Sequence, residues 1–209
     1  MSMPASPLLR SALAAVWIAA IGTPGCANHD PVARGQVSAF DTTLEITLIG
    51  VNRERAREVS DILQADMRQL ESAWHAWQPG PLSRMNALFN AGDEPFAAPP
   101  SVLPLLRLST QLEAQSEGFF NPAIGHLFRA WGFQGRPAEC LQPPATDLIQ
   151  QAVAARPSMQ DINIDGFRLS SKNHWVKLDF RAIQLGYAVD QAIHRLQDLV
   201  IKNESITAD

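Results

Sequence analysis

Apolar positions recur along the chain at two different spacings, and the changes of spacing mark out its elements. In "TLEITLIG" (Thr43 to Gly50) apolar and polar residues alternate and β-branched residues are frequent, which predicts a half-buried strand ended by glycine. From Arg53 to Trp77 the apolar residues Val59, Ile62, Leu63, Met67, Leu70, Trp74 and Trp77 keep helical spacing, the strongest periodic signal in the chain. "QPGP" (Gln78 to Pro81) stops that helix, and a short one follows from Leu82 to about Phe89. After the proline-rich "EPFAAPP", Ser101 is placed to cap a third helix, with Pro104 in its first turn and Gly118 beyond its end. "NPAIGHLFRAWGF" (Asn121 to Phe133) predicts a helix begun by Pro122 and closed by Gly132.

The second half changes character. A helix over Thr146 to Ala155 leads into "INIDGFRLSS", which predicts a hairpin turning at Asp165-Gly166. "HWVKLDF" predicts a third strand, and Leu185, Val189, Ala192, Ile193, Leu196 and Leu199 form the stripe of a last helix. Residues Asn28 to Val37 are polar without periodicity and predict a tether; Gly135 to Pro144 predict a loop. Helices gather first and strands later, so the expected class is α+β, a helical N-terminal part packed on a mainly antiparallel sheet.

Composition narrows the functional field. The 209 residues are 46% hydrophobic and 18% charged, which fits a folded globular chain. The formal charge is −4 without a basic run, so the electrostatic footprint of a nucleic-acid binder is missing. At the N-terminus, Arg10 precedes the apolar "SALAAVWIAAIG", an export-signal length too short to span a bilayer as a helix. Residues 1–27 are therefore expected to be a signal peptide, with 28–209 the mature chain. Cys26 in "TPGC" resembles a lipoprotein processing site; the alternative is ordinary cleavage after Ala27. Either route puts the mature protein outside the cytoplasm, in the periplasm, with an inner-membrane lipid anchor if Cys26 is acylated. Cys140 lies in a proline-flanked loop and is expected to be a bystander.

The chemistry is not carried by a familiar short motif. Phosphate-binding glycine loops, a nucleophile elbow and H-E-x-x-H are all absent, and the five histidines share no metal-ligand spacing. Three stretches stand out together: "WHAWQPGPLSRMNALFNAG", "SEGFFNPAIGHLFRAWGF" and "KLDFRAIQLGYAVDQA". Each has a plain structural reading. Trp74, Trp77, Phe119, Phe120, Trp131 and Phe133 would be core aromatics, Asn121 and Asp179 helix caps, and Ser83 a surface hydroxyl.

In order and spacing, however, the chain resembles the ApbE family of FAD:protein FMN transferases, exported and often lipid-anchored bacterial enzymes. The family's "S-E-L-S-R-x-N" has its counterpart in "PLSRMN" (Pro81 to Asn86), and "G-x-F-D-P-x-x-G-P-L-x-x-x-W-G-F" in "GFFNPAIGHLFRAWGF" (Gly118 to Phe133). Its "L-D-L-G-G-I-A-K-G-Y-A-V-D" is matched by "LDFRAIQLGYAVD" (Leu178 to Asp190), and an early Met-Gly-Thr by "FDT" (Phe40 to Thr42). The resemblance implies FAD as substrate, Mg2+ on its pyrophosphate, and transfer of the FMN half to a threonine hydroxyl of a partner redox protein. Carried over by position, FAD would meet Phe40, Trp77, Phe120, Asn121 and Asp179, and the main-chain oxygen of Ala182 would help hold Mg2+. It assigns no catalytic base here.

The departures concentrate in one turn. Arg181 replaces a glycine, Gln184 an alanine and Leu185 a lysine or other polar residue, and bulky side chains obstruct a turn where backbone approaches a ligand. Asn121 stands for an aspartate. The family continues past Asp209 into a Gly-Gly-Asp segment and later Mg2+ ligands, so this chain is expected to expose apolar surface and to transfer FMN weakly. The alternatives are a non-catalytic, exported flavin-binding or assembly protein serving a membrane redox complex, and a non-functional truncation product.

Overall fold

The structure is a computed structural model that describes residues 31–133, 143–201 and 203–208. The expected signal segment, Cys26 and Cys140 lie outside the described residues. Its strands and helices are β1 (Val32–Ala39), β2 (Thr42–Ile49), α1 (Arg53–Trp74), α2 (Pro81–Ala91), β3 (Phe96–Ala97), α3 (Leu103–Gln115), α4 (Gly125–Ala130), α5 (Thr146–Ala155), β4 (Ile162–Asp165), β5 (Arg168–Ser171), α6 (Arg181–Asp198) and β6 (Glu204–Ala208).

Two antiparallel sheets organise the molecule, in orders β1-β2-β6 and β3-β5-β4. In the first, alternate residues Leu44, Ile46 and Leu48 of β2 turn inward, with Val37 and Ala39 of β1 beside them. The buried stripe of α1, Val59, Leu63, Met67 and Trp74, belongs to the same core, as do Ala188, Ala192 and Leu196 of α6. This is the expected α+β arrangement.

The departures from expectation have local causes. The expected tether over 28–37 is largely β1, whose inward positions are the small Ala33, Val37 and Ala39 and so give little hydrophobic signal. α1 stops at Trp74 because His75 Nδ1 accepts the N–H groups of Trp77 and Gln78, at 3.1 and 3.0 Å, which withdraws them from the helix. α3 begins at Leu103 after Val102, not at a Ser101 cap; the Ser101 carbonyl instead accepts the Trp74 indole N–H at 2.8 Å.

The expected third strand is not one. Trp175 still belongs to a turn, and of residues 176–179 only Lys177 makes a β-bridge, parallel with Ile124. Their other side is held by side chains of α2. Asn86 donates to the Leu178 carbonyl (2.9 Å) and accepts from the Leu178 N–H (2.8 Å), while Asn90 donates to the carbonyls of His174 and Val176. The expected helix from Pro122 likewise starts later, at Gly125, because 122–125 bind this extended segment: Lys177 N–H and Asp179 N–H donate to Ala123 and Pro122, and Gly125 N–H donates to Lys177. Gly125 is required there, since a Cβ would lie 2.5 Å from the Lys177 carbonyl oxygen.

Candidate flavin site

Two chain features meet the start of α6. The β1–β2 hairpin turns through Phe40 and Asp41, both with positive φ (51° and 62°), and lays the Phe40 ring parallel to Trp74 at 5.9 Å between centroids. The His75-locked turn after α1 carries Trp77 beside it. Together with Arg68, Arg181 and Gln184 these residues line a cleft of about 590 Å3. A second cleft, of about 560 Å3, is lined by Phe120, Asn121, Phe128, Phe133, Asp179 and Ala182, and is largely apolar. Both volumes suit small-molecule sites.

Phe40 and Trp77 therefore share the first cleft; Phe120, Asn121, Asp179 and Ala182 share the second. Arg181 lines both and stands between them. Asp179 is buried, with 1% of its side chain exposed, and Arg181 grips it: Nη2 lies 2.8 Å from Oδ2 and Nε 3.0 Å from each carboxylate oxygen. The Arg181 backbone N–H adds a further bond to Asp179 Oδ1, but the residue that caps α6 is Phe180, without a side-chain bond, and not Asp179 as its plain reading proposed. The guanidinium further donates through Nη1 to the Phe133 carbonyl and rests 5.5 Å from the centre of the Phe128 ring.

Asn121 is similarly engaged. Its amide donates to Pro157 (2.8 Å) and accepts from Ala123 (2.9 Å), which fixes the turn leading out of the aromatic pair. Of the supposed core aromatics, Trp74 is buried, whereas Phe119 is 95% exposed and Phe133 45%. Ser83 closes the turn before α2 by bonding both backbone groups of Gly80. The Trp77 indole N–H is buried without a partner among the described residues.

The described residues do not fit magnesium. They contain no group of three or more His, Cys, Asp or Glu side chains able to hold a metal. Ala182 lies in the first turn of α6, where a carbonyl ordinarily accepts the N–H four residues on, and the nearby carboxylate, Asp179, is already given to Arg181. One main-chain oxygen and one occupied carboxylate fall short of magnesium's octahedral oxygen shell.

A family model described as "ApbE family" matches residues 40–209. The chain belongs to the ApbE family. A FAD:protein FMN transferase of Rhodobacter capsulatus is 36% identical over 182 residues, which is 87% of this chain and 34% of that protein. One from Vibrio cholerae serotype O1 is 29% identical over 122 residues, 58% of this chain and 35% of its own. The chain thus spans about a third of the length of these curated relatives. Among solved structures, the apo Pseudomonas stutzeri flavinyl transferase ApbE matches with a TM-score of 0.73 and 28% identity, covering 85% of this chain and 58% of that one. The Vibrio cholerae flavin transferase ApbE, at 21% identity and a TM-score of 0.71 over 84% of this chain and 57% of its own, shares the fold.

In this ApbE-family chain Arg181, an arginine where the resemblance leads one to expect glycine, lies where the two clefts meet. Sequence reasoning read Arg181 as an obstruction and missed its ion pair with Asp179; the Asp-x-Arg spacing at a helix start was the available signal. It singled out Asn86 but passed over Asn90, whose spacing of four from Asn86 puts both amides on one face of α2.

Proposed function

We propose that this chain contributes the flavin-holding part of a FAD:protein FMN transferase. In this reading the isoalloxazine occupies the cleft between Phe40 and Trp77, and the rest of FAD reaches past Arg181 toward Phe120 and Asn121. A threonine hydroxyl of a partner redox protein attacks the phosphorus of the FMN half. The new bond is Thr Oγ–P, the bond broken is the pyrophosphate P–O, AMP leaves, and the hydroxyl proton passes to a base outside the residues assigned here. Arg181, held by Asp179, stands between the two clefts, so FAD must displace its side chain to span them. Magnesium belongs to this reading with ligands outside the described residues, and we assign it no step. Export to the periplasm, with Cys26 as an anchor point, belongs to it too. The observation that carries the reading is the pair of adjoining clefts, both walled by aromatics, in a chain of this family.

The Asp179–Arg181 pair favours a second reading, a flavin-binding accessory protein without catalysis, because it occupies the carboxylate that a ligand or metal would use. Titrating FAD into the chain with and without Mg2+, and following AMP release with a threonine-bearing acceptor, separates the two. Binding that tightens with Mg2+ and is followed by AMP release supports the transferase; binding indifferent to Mg2+ and without AMP release supports the accessory protein. No FAD binding overturns both. Trp77→Ala should weaken FAD roughly tenfold, the worth of about 1–1.5 kcal/mol for one lost aromatic stack.

A further inference from the structure

On the side of Trp77 that adjoins α2 lies a third cleft, of about 310 Å3, lined by Trp77, Ser83, Asn86, Asn90, Arg129 and Lys177. Its α2 wall is chemically spent: both asparagine amides donate to the backbone of 174–178 and Ser83 is bonded to Gly80. The opposite wall is not. Among the described residues neither Lys177 nor Arg129 forms an ion pair; most of the other cations are also unpaired, but these two share one cleft. Lys177 Nζ instead sits 4.5 Å from the centre of the Trp77 ring.

Two cations left together in a chain of net charge −4 do not reflect general basicity. Burial first, and the Arg129 charge second, lower the Lys177 pKa; burial, Lys177 and Arg129 in that order lower that of the neighbouring His126. The lysine is also fixed at its root, because its own N–H and C=O are bonded to Ala123 and Gly125 and the next residue is clamped by Asn86. A half-buried lysine on a fixed backbone with an exposed arginine beside it offers two unneutralised donors, which match an oxyanion that carries close to two charges better than a single carboxylate.

We propose that the cleft between α2 and the Lys177–Arg129 pair is a binding site for a phosphate group. It does not rest on the flavin reading, although Trp77 is common to both clefts. The test is calorimetric titration of inorganic phosphate into the whole chain at constant ionic strength, with Lys177→Met and Arg129→Met alongside and circular dichroism to confirm folding. Saturable binding weakened at least tenfold by each substitution is the expected result. A second readout needs no variant: saturating phosphate should raise the His126 titration midpoint, followed by its imidazole proton resonance, because the anion offsets the two cations that depress it. Binding that does not saturate, binding unchanged in both variants, or a His126 midpoint indifferent to phosphate would each overturn the proposal. Where phosphate binds, AMP that competes with it marks a phosphomonoester as the ligand, and AMP without effect marks the free ion.

Discussion

At the scale of single residues, Arg181 does two things that pull apart. It neutralises the buried Asp179 and so stabilises the turn into α6, and it separates the two clefts that a long ligand would have to bridge. Arg181→Gly is therefore expected to lower stability while raising FAD affinity. The loss should be about 1–2 kcal/mol, since the carboxylate keeps its backbone bond but loses its counter-charge, and 42% of the arginine side chain is already in solvent. Thermal melts and FAD titration of the same preparation check both halves, and a variant that loses stability without gaining affinity would show that Arg181 is no barrier. The sequence exposed this position as a departure but not its partner. A motif comparison reports which side chain is foreign, whereas the ion pair depends on a rotamer set by packing against Phe128 and Phe133.

At the scale of elements, the hairpin between β1 and β2 places two non-glycine residues in the left-handed region to present Phe40. Turns of two residues with both φ positive favour Asn-Gly, and each other residue there carries strain on the order of 1 kcal/mol. Asp41→Gly keeps the Phe40 ring on Trp74 and should raise the thermal midpoint by about 2 °C, allowing for the added freedom of the unfolded chain. An unchanged or lower midpoint would mean that Asp41 is held by contacts that offset the strain. Elements with strong period were legible from the sequence: α5 has the expected bounds, the hairpin β4–β5 forms with its turn at Gly166-Phe167, one residue later than expected, and α6 keeps its apolar stripe. β6 was not, because five residues with three polar side chains gain strand character only by pairing with β2. The 175–179 segment was misread for the opposite reason. It has strand periodicity, yet its hydrogen bonds end on asparagine side chains, which no periodicity reports.

At the scale of the whole molecule, the basic cluster ties stability to pH. His126 takes up a proton less readily in the folded chain than in the unfolded one, where the ordinary value is 6.5. As pH falls through that value, the unfolded chain gains a proton that the folded chain resists, so stability falls on acidification below about 6.5 and the loss levels off once the folded imidazole also titrates. Relative to His126→Gln, the native chain should lose melting temperature as pH is lowered from 7.5 to 5; a constant difference would remove His126 from the account. Lys177 acts with the same sign at the other end, its charged form being disfavoured in the fold until pH rises through its lowered value.

The side-chain clamp on 175–179 has a consequence of another kind. A strand in a sheet shares its protection with the whole ladder, and its amides become exchangeable together when the ladder opens. Here the Leu178 amide is guarded by one carboxamide of Asn86, and the neighbouring Lys177 and Asp179 amides by the main chain of 122–123. The floor beneath Asp179 is therefore latched on its two sides by independent means, and one latch can release while the other keeps the carboxylate in register.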